Sequence, residues 1–440
     1  MGRTVVIGGG VAGMAAAVAA AQNGDGVTVL ERNEKTLKKL GVTGNGRGNL
    51  LNCGTPLYYG DAAFANKVLR LMPYERLAAF WESLGVPLRQ EEEGRCYPAA
   101  LQAAVAVDAL RLRAGQLGVQ ICTRTRARRL SVQGEGFVLE TEERAPLLPG
   151  GKPAGPAEVT VRKYRADRVI VAAGGAAAPA HGTDGTSYGL LTDFGHALVP
   201  CRPALCALIT EPKLIAARPG LAGQRMRAAL TLRDARGKVL HRTQGEILFA
   251  KDGISGIAAM QLARFVTGSC TLSVDLREEI NQGGLDIPQL SRLLRDHASK
   301  RAELPMRELF TGMLMPQVSR MLLSAAGVSD EDRSIGRFPD QVYTTLARIM
   351  AELPMAVKGV RGFESAQVTA GGIALADFSA DTMESRFQKR LFAAGEILNV
   401  DGDCGGFNLM FAVATGLLAG QSQGQGPGPD SCVPRKPMID

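Results

Sequence analysis

The sequence predicts an α/β protein built on a Rossmann-type dinucleotide-binding unit that a large insertion divides in two. Three observations predict it. The chain opens with an apolar strand, a glycine turn, a small-residue helix and a second apolar strand that ends on an acid. Near its C-terminal end it returns to the same vocabulary, with a strand, a turn bearing an acid, and a second glycine turn leading into an Ala/Gly-rich helix. Between the two lies a stretch with a different character, short strands followed by helical periodicity and no nucleotide-binding features.

The opening unit runs from Thr4 to Glu31. Thr4 to Ile7 reads as a buried strand, and Gly8, Gly10 and Gly13 fall at G-x-G-x-x-G spacing around Val11 and Ala12. Met14 to Gln22 continues as a helix, and Val27 to Leu30 forms the second strand. Gly8 permits the tight strand-to-helix turn, Gly10 lets backbone approach a pyrophosphate, and Gly13 lets helix and strand pack closely. The helix N-terminus offers free N–H groups and partial positive charge to that pyrophosphate. Glu31 stands where a carboxylate accepts hydrogen bonds from the ribose hydroxyls of an adenosine, and it would repel a 2′-phosphate. The motif does not distinguish FAD from NAD.

Composition narrows the class. Forty-five per cent hydrophobic and 21% charged residues over 440 positions describe an ordinary globular chain with room for two or three structural units. The net charge of +8 and pI near 9.1 invite a nucleic-acid reading. The basic residues are dispersed, however, and the densest run, Arg124 to Arg129, alternates like a solvated strand. Affinity for anionic nucleotides or acidic small molecules is the better expectation, with no nucleic-acid partner. The eight cysteines form no C-x-x-C pair, and the first strand begins beside the initiator Met, so reduced thiols in a cytoplasmic protein are expected. No apolar run has transmembrane length, so no membrane partner is expected.

After Glu31, glycines at 41, 44, 46 and 48 interleave with Arg32, Lys39, Asn45, Arg47, Asn49 and Asn52. Exposed N–H groups beside fixed cations and amides suit a phosphate or a flavin edge better than a core. Residues 61 to 120 read as mainly helical, interrupted at Pro87 to Pro98 by a hairpin whose Arg95 and Tyr97 are loop anchors or substrate contacts. Val119 to Thr123 is another strand. Phe137 to Glu142 and Val159 to Tyr164 pair as a hairpin, joined by a Pro/Gly-rich tip over 146–156 that should be mobile. A buried strand then ends on the small residues Ala172, Ala173, Gly174 and Gly175, where backbone can again approach a ligand.

From about residue 196 short antiparallel strands are expected at Ala228 to Leu232, Lys238 to His241, Gly245 to Ala250 and Thr271 to Leu276. Helices are expected between about 286 and 353. This middle third carries substrate specificity in our reading. The nucleotide unit returns with Val368 to Ala374 and with Arg390 to Glu396, and Asp401 to Met410 opens the second small-residue helix. The tail beyond Gln421, rich in Gly, Pro and Ser, is expected to be disordered.

Together Gly8-Gly-Gly-Val-Ala-Gly13, Lys39-Leu-Gly-Val-Thr-Gly-Asn-Gly-Arg-Gly-Asn49, Val368-Thr-Ala-Gly-Gly372, Thr382-Met-Glu-Ser385 and Ala394-Gly-Glu-Ile-Leu-Asn-Val-Asp-Gly-Asp-Cys-Gly-Gly-Phe-Asn-Leu409 resemble the BaiN/YhiN-like, aminoacetone-oxidase-like NAD(P)/FAD-dependent flavoproteins. The likeness extends from residue 1 to about 420. It departs from the family at Gly48, where a Cys is usual, at Asn49-Leu-Leu-Asn52 and at Met410-Phe-Ala-Val-Ala414. The resemblance implies FAD held by a split Rossmann domain, with an inserted β-barrel-like domain and a helical subdomain within that. The expected boundaries are 1–195 and 363–424 for the FAD domain, 196–283 with 337–362 for the barrel, 284–336 for the helical subdomain, and 425–440 for the tail.

By the same resemblance Glu31 binds the adenosine ribose, Lys39 with Gly44, Asn45, Gly46, Arg47 and Asn49 line the cofactor, and Arg32 is counted among the cofactor-binding residues. Ala173, Gly174, Gly175 and Gly395 approach it, Glu396 and Asp401 reach its ribityl–pyrophosphate region, and Gly405, Gly406, Phe407, Asn408 and Leu409 lie beside the isoalloxazine.

A flavin carries the redox chemistry, so the chain needs only position, electrostatics and a proton donor. No metal or Ser/His/Asp constellation stands at interpretable spacing. His181, after the Ala172–Gly175 strand end, and Cys404, whose place before a helix start should lower its thiol pKa, are the residues singled out for catalysis, with Arg95 and Tyr97 facing an anionic substrate. No second nucleotide motif appears, so NADH or NADPH docks transiently at the flavin or the substrate is itself the reductant. The expected activity is an FAD-dependent oxidoreductase reducing an activated double bond of a small molecule. An amine oxidase using oxygen and a non-catalytic flavin-bound sensor or scaffold are the alternatives, with a flavin-dependent nucleic-acid-modifying enzyme suggested only by the net charge. Oligomeric state stays open.

Overall fold

A computed structural model describes residues 2–145, 159–211, 215, 220–281 and 284–422. The expected Pro/Gly-rich tip and the C-terminal tail lie outside the described residues. The chain divides into two compact units, one formed by residues up to Cys201 and from Ala370 onward, the other by Arg202–Thr369.

In the first unit the opening strand Arg3–Ile7 is central in a five-stranded parallel sheet. It pairs with Gly26–Leu30 on one side and Arg168–Val171 on the other. Gln120–Cys122 and Leu391–Ala393 complete the edges. Every residue of the last strand is buried, as a parallel sheet covered on both faces requires. The helix Val11–Gln22 is apolar on all its faces, and its run from Ala12 to Ala20 is buried throughout. A surface helix would show one polar face. This one is covered on its outer side by the C-terminal helix Phe407–Gln421. A Cβ on Gly416 would collide with the Ala12 carbonyl oxygen, and one on Gly420 with that of Ala16. Small residues therefore set how closely the two helices approach. Arg168 ties the sheet to this pair, with an ion pair to Asp25 (2.7 Å) and a hydrogen bond to the Ala419 carbonyl (3.0 Å).

Arg126, Arg128 and Arg129 of the Arg124–Arg129 run lie on the strand Thr125–Gln133, with Arg124 just before it; the strand pairs with the acidic strand Gly136–Arg144, itself paired with Val159–Ala166. Arg124, Arg128, Arg162 and Lys163 form ion pairs with Glu34, Glu142, Glu143 and Glu140. Two of the run's four arginines, Arg124 and Arg128, are thus ion-paired.

The second unit is a closed six-stranded antiparallel barrel. Its order is Leu208–Thr210, Gly253–Ser255, Val239–Ala250, Arg225–Asp234, Cys270–Asp275 and Leu353–Val360, which returns to the first. Closure leaves no exposed strand edge. Met226, Ala228, Leu230 and Leu232 alternate inward along one strand. One expectation needs correction here. Lys238 to His241 and Gly245 to Ala250 are not two strands but one, because Val239–Ala250 pairs from Val239 to Leu248 with Arg225–Asp234 and carries Gly245 in register opposite Ala228. The helices Ile287–Ser299, Pro316–Ala325 and Gln341–Ala351 belong to this unit. The first is set by a capping box in which Asp286 accepts from the Gln289 N–H (2.7 Å) and Gln289 accepts from the Asp286 N–H (2.9 Å). Among the described residues no helix is long and apolar enough to cross a membrane.

Candidate functional site

The opening glycine turn has three different reasons for its three glycines. Gly8 takes φ +108° and lies so close to the end of the Arg168–Val171 strand that a side chain would strike the Ala172 carbonyl. Gly13 packs on the Gly8 carbonyl oxygen, with no room for a Cβ. A Cβ on Gly10, by contrast, would meet nothing within 4 Å. Gly10 is the N-cap of the Val11–Gln22 helix and no side chain caps it. Open space therefore lies at a helix N-terminus whose first N–H groups lack side-chain partners, and that combination fits an anionic pyrophosphate.

Glu31 closes the second strand and is 6% exposed. Its carboxylate accepts from the Gly9 N–H (2.8 Å) and from the backbone N–H and side-chain amide of Asn33 (both 2.7 Å). Asn33 does not figure in the sequence-level site, although it fixes the carboxylate's orientation. A carboxylate has about four lone-pair positions, so three bonds leave acceptor capacity for a ribose hydroxyl. Arg32 is committed elsewhere, in an ion pair with Asp184 (2.7 Å). Burial alone would raise the Asp184 carboxyl, but hydrogen bonds from Arg32 and Thr186 outweigh it and hold the group well below the usual carboxylate range.

The segment after Glu31 is anchored by buried Leu37, Leu40, Leu50 and Leu51. Between these, Gly44 and Asn45 both adopt left-handed backbone, and Gly46 (φ +83°) and Gly48 (φ +78°) follow. Gly44, Asn45 and Gly46 are exposed at this turn. Lys39 forms an ion pair of 2.5 Å with Glu396, joining two candidate residues that lie 357 positions apart. Arg47 pairs with Glu91 (2.5 Å) and lies 4.4 Å over the Tyr97 ring. Tyr97 is therefore a buried anchor under Arg47, and Arg95 is ion-paired with Glu93.

The second glycine turn meets this segment. Val400–Gly402 pairs with Tyr58–Gly60, which places Asp401 opposite Tyr59. Asn52 donates to the Gly405 carbonyl (2.8 Å) and to the Glu93 carbonyl (3.1 Å). Gly405 (φ +133°) and Gly406 (φ +106°) lead into the helix starting at Phe407, and Gly406 is held against Leu51 and Asn49. Asn49 Oδ1 is buried there with no hydrogen-bond donor among the described residues. A buried acceptor lacking a donor costs free energy unless a ligand supplies one. This acceptor, beside an uncapped helix start, fits the polar edge of a flavin ring. Asn408 turns back, accepting from the Gly402 N–H and donating to the Gly402 carbonyl (2.8 Å each), so its amide clamps the turn. Leu409 is half-buried on the helix's first turn.

Ala173 to Gly175 follow the Arg168–Val171 strand. Gly174 is left-handed (φ +77°) with Thr183 against it, and Gly175 accepts from Gly185 N–H (3.0 Å). Gly395 (φ +78°) faces Ala12, and its N–H donates to Thr415 Oγ1 (3.0 Å). The first glycine turn, set against Ala172 and Ala173, and Gly395, set against Ala12, therefore meet at the C-terminal ends of the parallel strands, where open α/β sheets bind ligands.

Two catalytic expectations fare differently. Cys404 does precede a helix start, but burial raises its thiol pKa, and the lowering by Arg95 is opposed by Asp403 and Glu93. The expected low-pKa thiol is thus corrected by desolvation. His181 is half-buried in a 3₁₀ turn, where its backbone carbonyl accepts from Asn33 (3.4 Å). His196, by comparison, is a core residue. It stacks 4.3 Å from Phe378, hydrogen-bonds Ser385 (2.8 Å), and is kept below the usual imidazole range by burial.

Comparison with known proteins agrees with this geometry. The HI0933-like protein Rossmann domain family matches residues 2–422. A 3-dehydro-bile acid delta(4,6)-reductase of Clostridium scindens is 32% identical over 433 residues, covering 97% of this chain and 100% of that protein. A ribosomal RNA dihydrouridine synthase of Escherichia coli is 24% identical over 435 residues, covering 95% of this chain and 96% of its own. Among solved structures, an open flavocytochrome c3 fumarate reductase aligns with a TM-score of 0.44 at 15% identity, over 96% of this chain and 77% of that one. On its motifs, on the geometry they adopt and on a match along nearly its whole length, the chain belongs to the HI0933-like Rossmann family, the BaiN/YhiN-like group that its sequence resembles.

Proposed function

We propose that this protein is an FAD-dependent oxidoreductase that takes reducing equivalents from NADH or NADPH and saturates a carbon–carbon double bond conjugated to a carbonyl group in a small organic molecule. The observation that carries the reading is full-length similarity to a reductase named for the Δ4,6 bonds of a 3-dehydro-bile acid. In such a compound a 3-oxo group activates the double bonds. Dihydrouridine likewise differs from uridine by saturation of a double bond conjugated to a ring carbonyl, so the names of the two relatives share one reaction type.

FAD, when bound, supplies the two-electron chemistry that protein side chains lack. In this reading Gly8, Gly10, Val11, Ala12 and Gly13 present the helix N-terminus to its pyrophosphate, and Glu31, oriented by Gly9 and Asn33, accepts from the adenosine ribose. The Lys39–Glu396 pair and Asp401 serve the ribityl–pyrophosphate region. Asn49 Oδ1 accepts from a ring N–H beside Gly405 and Gly406. Tyr58, packed against Phe407 and Phe411, keeps water from that end. The segments 1–195 and 363–424 form the cofactor domain. Residues 196–283 with 337–362, and the helices within 284–336, select the substrate.

A ribosomal RNA substrate is the second reading, favoured by the names of the relatives at 23% and 24% identity and by the net charge of +8. The pairing of Arg124 and Arg128 with Glu34 and Glu142 weighs against it. The test is an absorbance spectrum of the purified protein, followed by anaerobic NADH or NADPH and then a 3-oxo-Δ4,6 steroid or unmodified ribosomal RNA. Rapid bleaching, with reoxidation by the steroid, is the expected result. Reoxidation by RNA alone would replace the small-molecule substrate. A flavin that neither nicotinamide bleaches would point to a substrate oxidase or sensor, and a protein that binds no FAD would overturn the reading.

A further inference from the structure

Two cysteine thiols meet on a strand pair that the proposed activity leaves unused. Leu51 pairs with Cys96 and Asn52 with Arg95 in antiparallel register, and the Cys53 N–H continues the ladder to the Gly94 carbonyl (2.9 Å). Side chains alternate across a strand, so Cys53 and Cys96 stand as diagonal neighbours on one face. Gly94 lies between them. A Cβ there would be 3.2 Å from Cys53 Sγ, and Cys96 Sγ donates to the Gly94 carbonyl (3.4 Å). The missing side chain leaves both sulfurs beside Gly94. Cys53 is exposed, whereas Cys96 is buried behind it with Tyr74 Oη 3.3 Å from its sulfur.

This arrangement, one accessible and one sheltered thiol on adjoining strands, suits stepwise thiol–disulfide exchange. We propose that Cys53 and Cys96 are a redox modification site, closing to an intramolecular disulfide on exposure to a low-molecular-weight disulfide such as oxidised glutathione. Cys53 thiolate attacks the oxidant, forming a mixed disulfide and releasing one glutathione thiol. Cys96, losing its proton, then attacks the Cys53 sulfur and expels the second. Two protein thiols are oxidised and one glutathione disulfide is reduced to two thiols. Asn52, between the paired positions, holds the Gly405 carbonyl, so the bond would form one residue from the second glycine turn.

The test treats the full-length protein with oxidised glutathione, quenches it by alkylation, and maps cysteine peptides by mass spectrometry without reduction. The expected product is a Cys53–Cys96 linked peptide with two protein thiols lost, reversed by dithiothreitol. Cys53→Ser should abolish the link, and Cys404→Ser should leave it intact. Cys96→Ser should instead accumulate the Cys53–glutathione adduct; should that buried variant not fold, Cys53→Ser and the wild-type map suffice. A persistent glutathione adduct on wild-type Cys53, a link from Cys53 to Cys404, or two freely alkylated thiols would each overturn the proposal.

Discussion

The protein contains two glycine turns that each lead into a small-residue helix, and they require glycine for different reasons. At the first, Gly8 and Gly13 are fixed by packing, while Gly10 borders open space. At the second, Gly406 is crowded, its absent Cβ lying 2.6 Å from the Leu51 carbonyl oxygen. Gly405 accepts a hydrogen bond from Asn52. One turn keeps a gap at a helix N-terminus, and the other is pressed against the 49–52 segment. Glycine at the first helix start thus borders open space, whereas at the second it makes room for the protein's own backbone.

The contrast is sharpest in the first turn. Gly13→Val should collapse the strand–helix contact, costing on the order of 4 kcal/mol or more, read as loss of soluble protein or of a cooperative thermal transition. A folded, flavin-containing Gly13→Val protein would break the packing explanation. In the second turn Gly406→Ala places a Cβ at φ +106° against backbone, for roughly 1–3 kcal/mol measured by denaturant unfolding. Asn52→Ala should cost about 1–2 kcal/mol through the lost bond to Gly405, an effect that vanishes if the turn holds itself.

Gly10→Ala should behave in the opposite way. Its stability should stay within about 0.5 kcal/mol of the parent while FAD retention after gel filtration falls, since in the proposed reading the space it narrows takes the cofactor. Unchanged FAD content would remove Gly10 from the site.

The smallest effect concerns the barrel unit and serves as a control for both turns. Burial pushes the Cys206 thiol up to about 11, and its sulfur donates to the Arg361 carbonyl (3.2 Å). A raised folded-state pKa means that the native state holds its proton more tightly. The stabilisation is complete below the unfolded thiol value of about 8.5 and is lost as pH rises toward 11. Cys206→Ala should flatten the fall of thermal midpoint with pH over that window, leaving both glycine turns untouched.

The chain by itself determines the strand–turn–helix unit, the acid at Glu31 and the second small-residue helix. Those depend on backbone sign, side-chain size and periodicity within a few residues. It also carries the alternation that makes Arg225–Asp234 one wall of a barrel. Tertiary structure alone decides which partners meet. Lys39 finds Glu396, Asn52 finds Gly405, and Asn49 faces Gly406, each across more than three hundred positions. It also decides the protonation of Cys404, because a helix start lowers a thiol pKa only where burial does not outweigh it. The physical reason is range: steric and propensity effects are local and can be read in order, whereas desolvation and pairing depend on what folding brings alongside.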